Sequence, residues 1–219
     1  MKLVMISLAV LWFNAVAAVA SASELTAYHA QYDVLRDNAE YGGAIRRLEQ
    51  TSDGVFALYT ETEIAWLFLT DRRGYWSTFA WLDNLAVTQE FRFKRSGTGK
   101  NKEFAARYSS DQAVLDEAAM LEQLRFDLLD LSRSEFRYSM IDENGKLDQH
   151  VYQRGDSETL QLPYAEVLAT KVLRVREHSA RETYYWFAPA LNNLMVKMQQ
   201  REDGDEVATL VLRKLQLQP

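Results

Sequence analysis

Apolar and polar residues alternate along most of this chain, which places one side of each extended segment in a core and the other in water. In Val87 to Lys94, Val87, Phe91 and Phe93 fall on one side, while Thr88, Glu90, Arg92 and Lys94 fall on the other. Leu194, Val196 and Met198 oppose Met195, Lys197 and Gln199 in the same way. Asp53-Gly54, Asn144-Gly145 and Asp203-Gly204 stand between such runs, and these pairs favour the positive φ of tight hairpins. Consecutive hairpins predict an antiparallel sheet.

One segment departs from the period of two. From Asp116 to Leu131, Ala118, Leu121, Leu124, Leu128 and Leu131 recur at three- and four-residue steps behind Asp116, a good N-cap. This spacing predicts a helix with one apolar stripe. Because a long antiparallel sheet has an apolar face to bury, the helix is expected to cover its concave side. The fold class is therefore mainly β: a strongly curved antiparallel sheet or open barrel wrapped around one helix. Glu63 to Leu82 is read as two strands joined by a turn at Asp71-Arg72-Arg73-Gly74. No internal repeat, linker or low-complexity tract interrupts the chain.

The N-terminus follows a different logic. Met1 and Lys2 precede an apolar run from Leu3 to Val19, broken only by Ser7 and Asn14, and Ala20-Ser21-Ala22 offers a small-x-small cleavage site. Residues 1–22 are read as a secretory signal cut after Ala22 rather than as a membrane anchor, because the run is short, rich in Ala and lacks a basic flank. Residues 23–219 would then be a single domain, soluble in the periplasm. With 47% hydrophobic and 26% charged residues, the chain can fill one core without covalent braces. It contains no cysteine, which removes a lipid anchor at the cleavage site, disulfides, thiol catalysis, cysteine zinc sites and iron–sulfur clusters. A net charge of −6 without a basic run argues against nucleic acid and against strong attachment to anionic headgroups.

Motifs that carry chemistry are scarce. Gly97 to Lys102 superficially resembles a phosphate-cradling loop, but its spacing is wrong and it leads into another alternating strand, so it reads as a hairpin loop. His29, His150 and His178 are far apart, without metal-ligand spacing, and read as surface or edge residues. No Gly-x-Ser-x-Gly elbow occurs, and no spacing singles out a carboxylate pair. Arg46-Arg47 and Arg72-Arg73 read as solvated charges at strand ends. Aromatics make up 12% of the chain and supply a candidate apolar lining in Trp66, Phe68, Trp76, Phe79 and Trp81, with core filling as the alternative. No metal, cofactor or catalytic residue is expected.

Leu162-Pro163-Tyr164-Ala165, Lys171 to Val175, and Arg181 to Met198, with its Trp186-Phe187-Ala188-Pro189 block, resemble the bacterial domain-of-unknown-function family 3108. The resemblance extends more weakly upstream through Arg95 to Lys102 and Glu122-Gln123-Leu124-Arg125. The family usually has Gly at Ala165 and Pro at Met195, departures that relax two turns. The resemblance implies export and implies no activity. In the Trp186 block a strand is expected to end at a Pro-forced turn before the sheet restarts at Leu194, with Trp186 anchoring the core.

These readings rank a non-enzymatic periplasmic protein first, one that binds a lipid, another apolar ligand or a partner's apolar segment in the concave face of its sheet. An envelope assembly factor acting through surface contacts with another protein comes second. A carboxylate-dependent polysaccharide-processing enzyme comes third.

Overall fold

The computed structural model describes residues 25–66, 69–109, 113–142 and 144–218, so the expected signal segment and Phe68 lie outside the described residues. Six strands come first: β1 (Tyr28–Arg36), β2 (Ala39–Ser52), β3 (Val55–Trp66), β4 (Leu69–Leu82), β5 (Leu85–Gly97) and β6 (Lys102–Arg107). The helix α1 (Glu117–Asp127) follows, and then β7 (Glu135–Ile141), β8 (Leu147–Gln161), β9 (Glu166–Val175), β10 (Arg181–Ala188), β11 (Leu194–Glu202) and β12 (Asp205–Leu217). No described helix is long and apolar enough to cross a membrane.

All twelve strands form one antiparallel sheet in the order β6-β5-β4-β3-β2-β1-β12-β11-β10-β9-β8-β7. The middle of the sheet joins the two ends of the described chain, from Tyr28 opposite Leu217 to Leu35 opposite Thr209. Each half winds outward as hairpins until the edges β6 and β7 are reached. The sheet is not closed into a barrel. Its break falls between two strands that are consecutive in sequence, where the chain leaves the sheet to build α1.

The predicted hairpin glycines adopt positive φ: 64° at Gly54, 79° at Gly145 and 86° at Gly204. Asp37-Asn38 and Asp83-Asn84 make two further tight turns without glycine, with φ of 50° and 64° and of 50° and 65°. Asn and Asp pay the smallest penalty in that region after glycine. The Trp186 block behaves as expected: β10 ends at Ala188, Pro189–Leu191 forms a 3-10 turn, and β11 restarts at Leu194. Trp186 is buried and donates its indole N–H to Glu158 at 2.6 Å.

Two strand expectations are corrected. Asp71 to Gly74 is not a turn but the interior of β4, opposite Ile64 to Glu61 of β3. Its charges are matched within the sheet: Asp71 is held by Arg73 of its own strand at 2.8 Å and by Arg95 of β5 at 2.9 Å, and Arg72 by Glu61 of β3 at 2.8 Å. Gly74 leaves room for Trp76, whose ring lies 2.6 Å from where a Cβ would stand. In β5 a bulge opposite Thr78 and Phe79 makes Gln89 an extra residue and moves Thr88, rather than Val87, onto the face shared by Phe91 and Phe93. Thr88 is fully buried there, bonded to Asp116.

The helix is shorter and more deeply enclosed than its spacing suggests. Asp116 caps it through Ala118 N–H at 2.8 Å and Ala119 N–H at 3.1 Å, but α1 stops at Asp127, and Leu131 stands 85% exposed beyond it. Ala118 to Arg125 are all buried, so there is no solvent face. Its polar side chains bond to the sheet instead. Glu122 accepts from Tyr28 Oη of β1 at 2.6 Å, Arg46 Nη2 of β2 at 3.1 Å and its own helix's Arg125 Nη1 at 2.9 Å. Arg46 also donates to Ala118 O at 2.9 Å, and Arg125 to Asn192 O at 2.7 Å. Gln123 accepts from the Ala86 N–H at 2.6 Å, and Asp116 accepts from Ser77 of β4 at 2.5 Å. Bonds to both halves of the sheet mean that the sheet curls around α1.

Arg46 is therefore not a solvated strand-end charge; it is 5% exposed in the middle of β2, whereas Arg47 beside it points to water. The two guanidiniums hold the Glu122 carboxyl below its ordinary pKa although burial pushes the other way. Replacing Glu122 by Ala leaves two buried cations without a counter-charge and is expected to cost about 3–5 kcal/mol. Arg47→Ala is expected to stay within about 0.5 kcal/mol of the parent. Urea denaturation of both variants checks this, and equal losses would contradict it.

Candidate functional site

The break in the sheet is also where the surface is hollow. Residues 113–116 stitch β5 to β7: Thr88 N–H donates to Val114 O at 3.1 Å, Leu115 N–H to Ser139 O at 2.9 Å, and Ile141 N–H to Leu115 O at 2.8 Å. Beside this stitch the edges stay apart. A groove of about 970 Å³ runs between them, walled by Phe104 and Tyr108 on one side and Ile141, Leu147 and Gln149 on the other, with Val114 also in its lining. Leu147, 60% exposed, presents an apolar side chain to the groove. Lys102 Nζ reaches across to Asn144 Oδ1 at 2.6 Å and closes one end.

A second, smaller hollow of about 240 Å³ adjoins the groove, and Ile141 and Asp148 line both. Its walls are Tyr75 and Phe91 from one half of the sheet, Tyr152, His150 and Arg174 from the other, and Glu117 from the first turn of α1. His150 is thus not a surface residue; it sits inside, with 13% of its side chain exposed. Arg174 donates from Nη2 to His150 Nε2 at 2.6 Å, which makes Nε2 the acceptor and leaves the ring proton on Nδ1, 3.5 Å from Tyr152 Oη. Tyr152 is buried against Tyr138 and Tyr185, with ring centroids 5.8 Å and 6.1 Å away, and burial pushes its phenol well above the ordinary pKa. Among the described residues, no group of three or more His, Asp or Glu is arranged to hold a metal ion.

The aromatic residues expected to line a cavity do not share one surface. Phe79 is fully buried, its ring 5.7 Å from Phe56, and Trp81 packs edge-on to Phe126 of α1 at 5.1 Å. Trp76 lies on the opposite face of β4, 38% exposed against Tyr59 and Arg92. Strand alternation alone forces this, because even and odd positions of β4 point to opposite sides. Trp66 is the last residue of β3. Of the residues that do line the hollows, Phe104, Ile141, Leu147 and Arg174 were not singled out by sequence, and His150 was read as a surface or edge residue. One signal was available: Arg174 keeps the parity of Val172, which is fully buried, so alternation already pointed its side chain inward.

A family model described as Protein of unknown function (DUF3108) matches residues 66–211. No curated protein matches the chain in sequence. Among solved structures, the beta-barrel-like protein of domain of unknown function DUF1849 from Brucella abortus is 9% identical, with a TM-score of 0.55 over 89% of this chain and 98% of that one. At that identity the likeness shows the fold alone. A Bacteroides fragilis protein described as exported, with a YmcC-like fold, is 12% identical with a TM-score of 0.34, over 87% of this chain and 94% of that one.

Burial, and after it the charge of Arg174, lowers the His150 pKa to about 4 from an ordinary 6.5. A group depressed in this way stabilises the fold above its unfolded pKa, and that contribution disappears as the pH falls through the folded value. Between about pH 6.5 and 4 the parent protein is expected to lose roughly 1–3 kcal/mol more stability than His150→Gln. Urea midpoints measured across that range check this, and parallel curves for the two proteins would contradict it.

Proposed function

The chain belongs to the family described as Protein of unknown function (DUF3108), and from that starting point we propose that it is an exported binding protein of the bacterial cell envelope, non-enzymatic, which takes an apolar ligand in the seam of its sheet. The observation that carries this is the groove of about 970 Å³ between β6 and β7, with Phe104, Val114, Ile141 and Leu147 in its walls. Its size falls within the range of small-molecule sites, about 300–1,000 Å³. The concave face expected from sequence to hold the ligand is occupied by α1, so the seam takes over that role. Export is supported by the charged start, apolar run and small-x-small site of residues 1–22.

A second reading keeps the same groove and changes the occupant. β6 has a strand neighbour on one side only, β5, so its free edge offers backbone groups to an extended segment of an envelope partner. The lipid-like reading takes precedence because Phe104, Val114, Ile141 and Leu147 give the groove apolar side-chain walls in addition to the strand edge.

A neutral single-chain amphiphile, monolauroylglycerol below its aggregation concentration, is the direct probe. Calorimetric titration is expected to give saturable binding, weakened about tenfold or more by Leu147→Asp. Leu147 is largely exposed, so the variant should unfold within a few degrees of the parent. Absence of saturable binding to the parent protein would contradict the proposal.

A further inference from the structure

We propose that the hollow beside the seam is an oxyanion site, and that the protein's ligand is an amphiphile with a phosphate or carboxylate headgroup seated against Arg174. This rests on the reading of the groove as the site of an apolar chain, and specifies the other end of that ligand.

Continuity is the first support. Ile141 and Asp148 line both hollows, so the end of a chain lying along Leu147 and Phe104 is next to the polar space in front of Arg174. An amphiphile needs this arrangement: a greasy channel that ends at a small number of fixed polar groups.

The second support is a cation that lacks its anion. Arg174 Nε is buried and makes no hydrogen bond, and Nη2 bonds to a neutral imidazole. Arg176, two residues further along, is half-buried, and the hydrogen bond it makes runs from Nη1 to the Arg181 carbonyl at 3.4 Å. Among the described residues, neither arginine has a carboxylate within ion-pair distance. Burial, and after it the charge of Arg174, lowers the Arg176 pKa, the response of two guanidiniums placed together without a counter-ion. Arg95 is matched with Asp71 and Arg46 with Glu122, and Arg154, whose Nε is also buried and unbonded, has its Nη2 taken up by the Leu128 and Asp130 carbonyls, both at 3.0 Å. A guanidinium presents a planar fork suited to two oxygens of one anion.

Three carboxylates lie on the same walls, and among the described residues none is within ion-pair distance of Arg174 or Arg176. Asp142 accepts the Asn144 and Lys146 backbone N–H groups, both at 2.8 Å, and is held below its ordinary pKa inside that turn. Asp148 accepts from the Gln149 N–H at 2.9 Å and keeps 64% of its side chain in solvent. Glu117 stands on the first turn of α1, close enough to Tyr152 and Tyr185 to raise both phenols. Lys146, on the same wall, adds a further positive charge. His150 acts as a positioning residue: by accepting from Nη2 while neutral, it fixes the guanidinium without neutralising it.

The test compares three probes with one chain length on the full protein: monolauroylglycerol, laurate and lauroyl lysophosphatidate, each below its aggregation concentration, with inorganic phosphate as a fourth. At least one charged amphiphile is expected to bind about tenfold more tightly than the neutral one. Arg174→Gln should remove that preference while leaving neutral binding within about twofold, and Arg176→Gln should reduce it in part. Whichever of laurate and lysophosphatidate binds better names the headgroup, and inorganic phosphate bound by the parent but not by Arg174→Gln supports the site independently of the chain. Neutral binding without any charge preference would overturn the headgroup site and leave the groove standing. A preference that survives both substitutions would overturn it as well, and failure of all three amphiphiles would remove the groove reading beneath it.

Discussion

A carboxylate buried between two arginines holds this protein in its shape. Glu122 sits on a helix with no exposed face, 2% exposed itself, and is reached by Arg46 from β2, Tyr28 from β1 and Arg125 from its own turn. An ionised group so far from water is tolerable only when its oxygens are fully occupied. The network therefore fixes where α1 lies relative to strands from the middle of the sheet, while Asp116 and Gln123 fix it to β4 and β5. With the helix pinned inside, a sheet of this width has an object to curl around, and its two edges are brought to face each other.

The open seam follows from the same arrangement. The edges are β6 and β7, neighbours in sequence, and the chain that would have closed them by a hairpin is diverted inward to make α1. Val114 and Leu115 recover part of the lost pairing, and the rest of the edge is left as the groove. One structural decision thus fills the concave face with a helix and opens a hollow at the rim. The proposed site is a by-product of how the plug is connected, which is why it lies away from the tryptophans.

Much of the fold was legible along the chain. The period of two, the hairpin pairs at Gly54, Gly145 and Gly204 and the cap at Asp116 each correspond to elements in place. Several of the errors share a cause: polar residues were read as solvent-facing. Asp71-Arg72-Arg73-Gly74 has turn-like composition, yet its charges are satisfied within β4 and by its neighbours β3 and β5. Arg46 lies between Ala44 and Leu48 at inward positions, 5% and 0% exposed, and its parity already indicated burial. Glu122, Gln123 and Arg125 fall outside the one apolar stripe that the spacing predicts, and periodicity has no means of distinguishing a face bonded to water from one bonded to a surrounding sheet. The seam was beyond reach for another reason: it depends on β1 pairing with β12, a contact between chain ends that local patterns do not encode.

Amide hydrogen exchange, followed residue by residue with and without monolauroylglycerol, tests the central claim most directly: that α1 is a permanent plug and the seam is the variable part. The amides of Met120 to Leu124 should rank among the slowest in both states, alongside the paired centre of β1 and β12, while those of 104–108 and 139–141 slow only when the amphiphile is bound. Fast exchange in α1, or exchange there that changes on loading while the seam stays as it was, would mean that the ligand displaces the helix and enters the concave face.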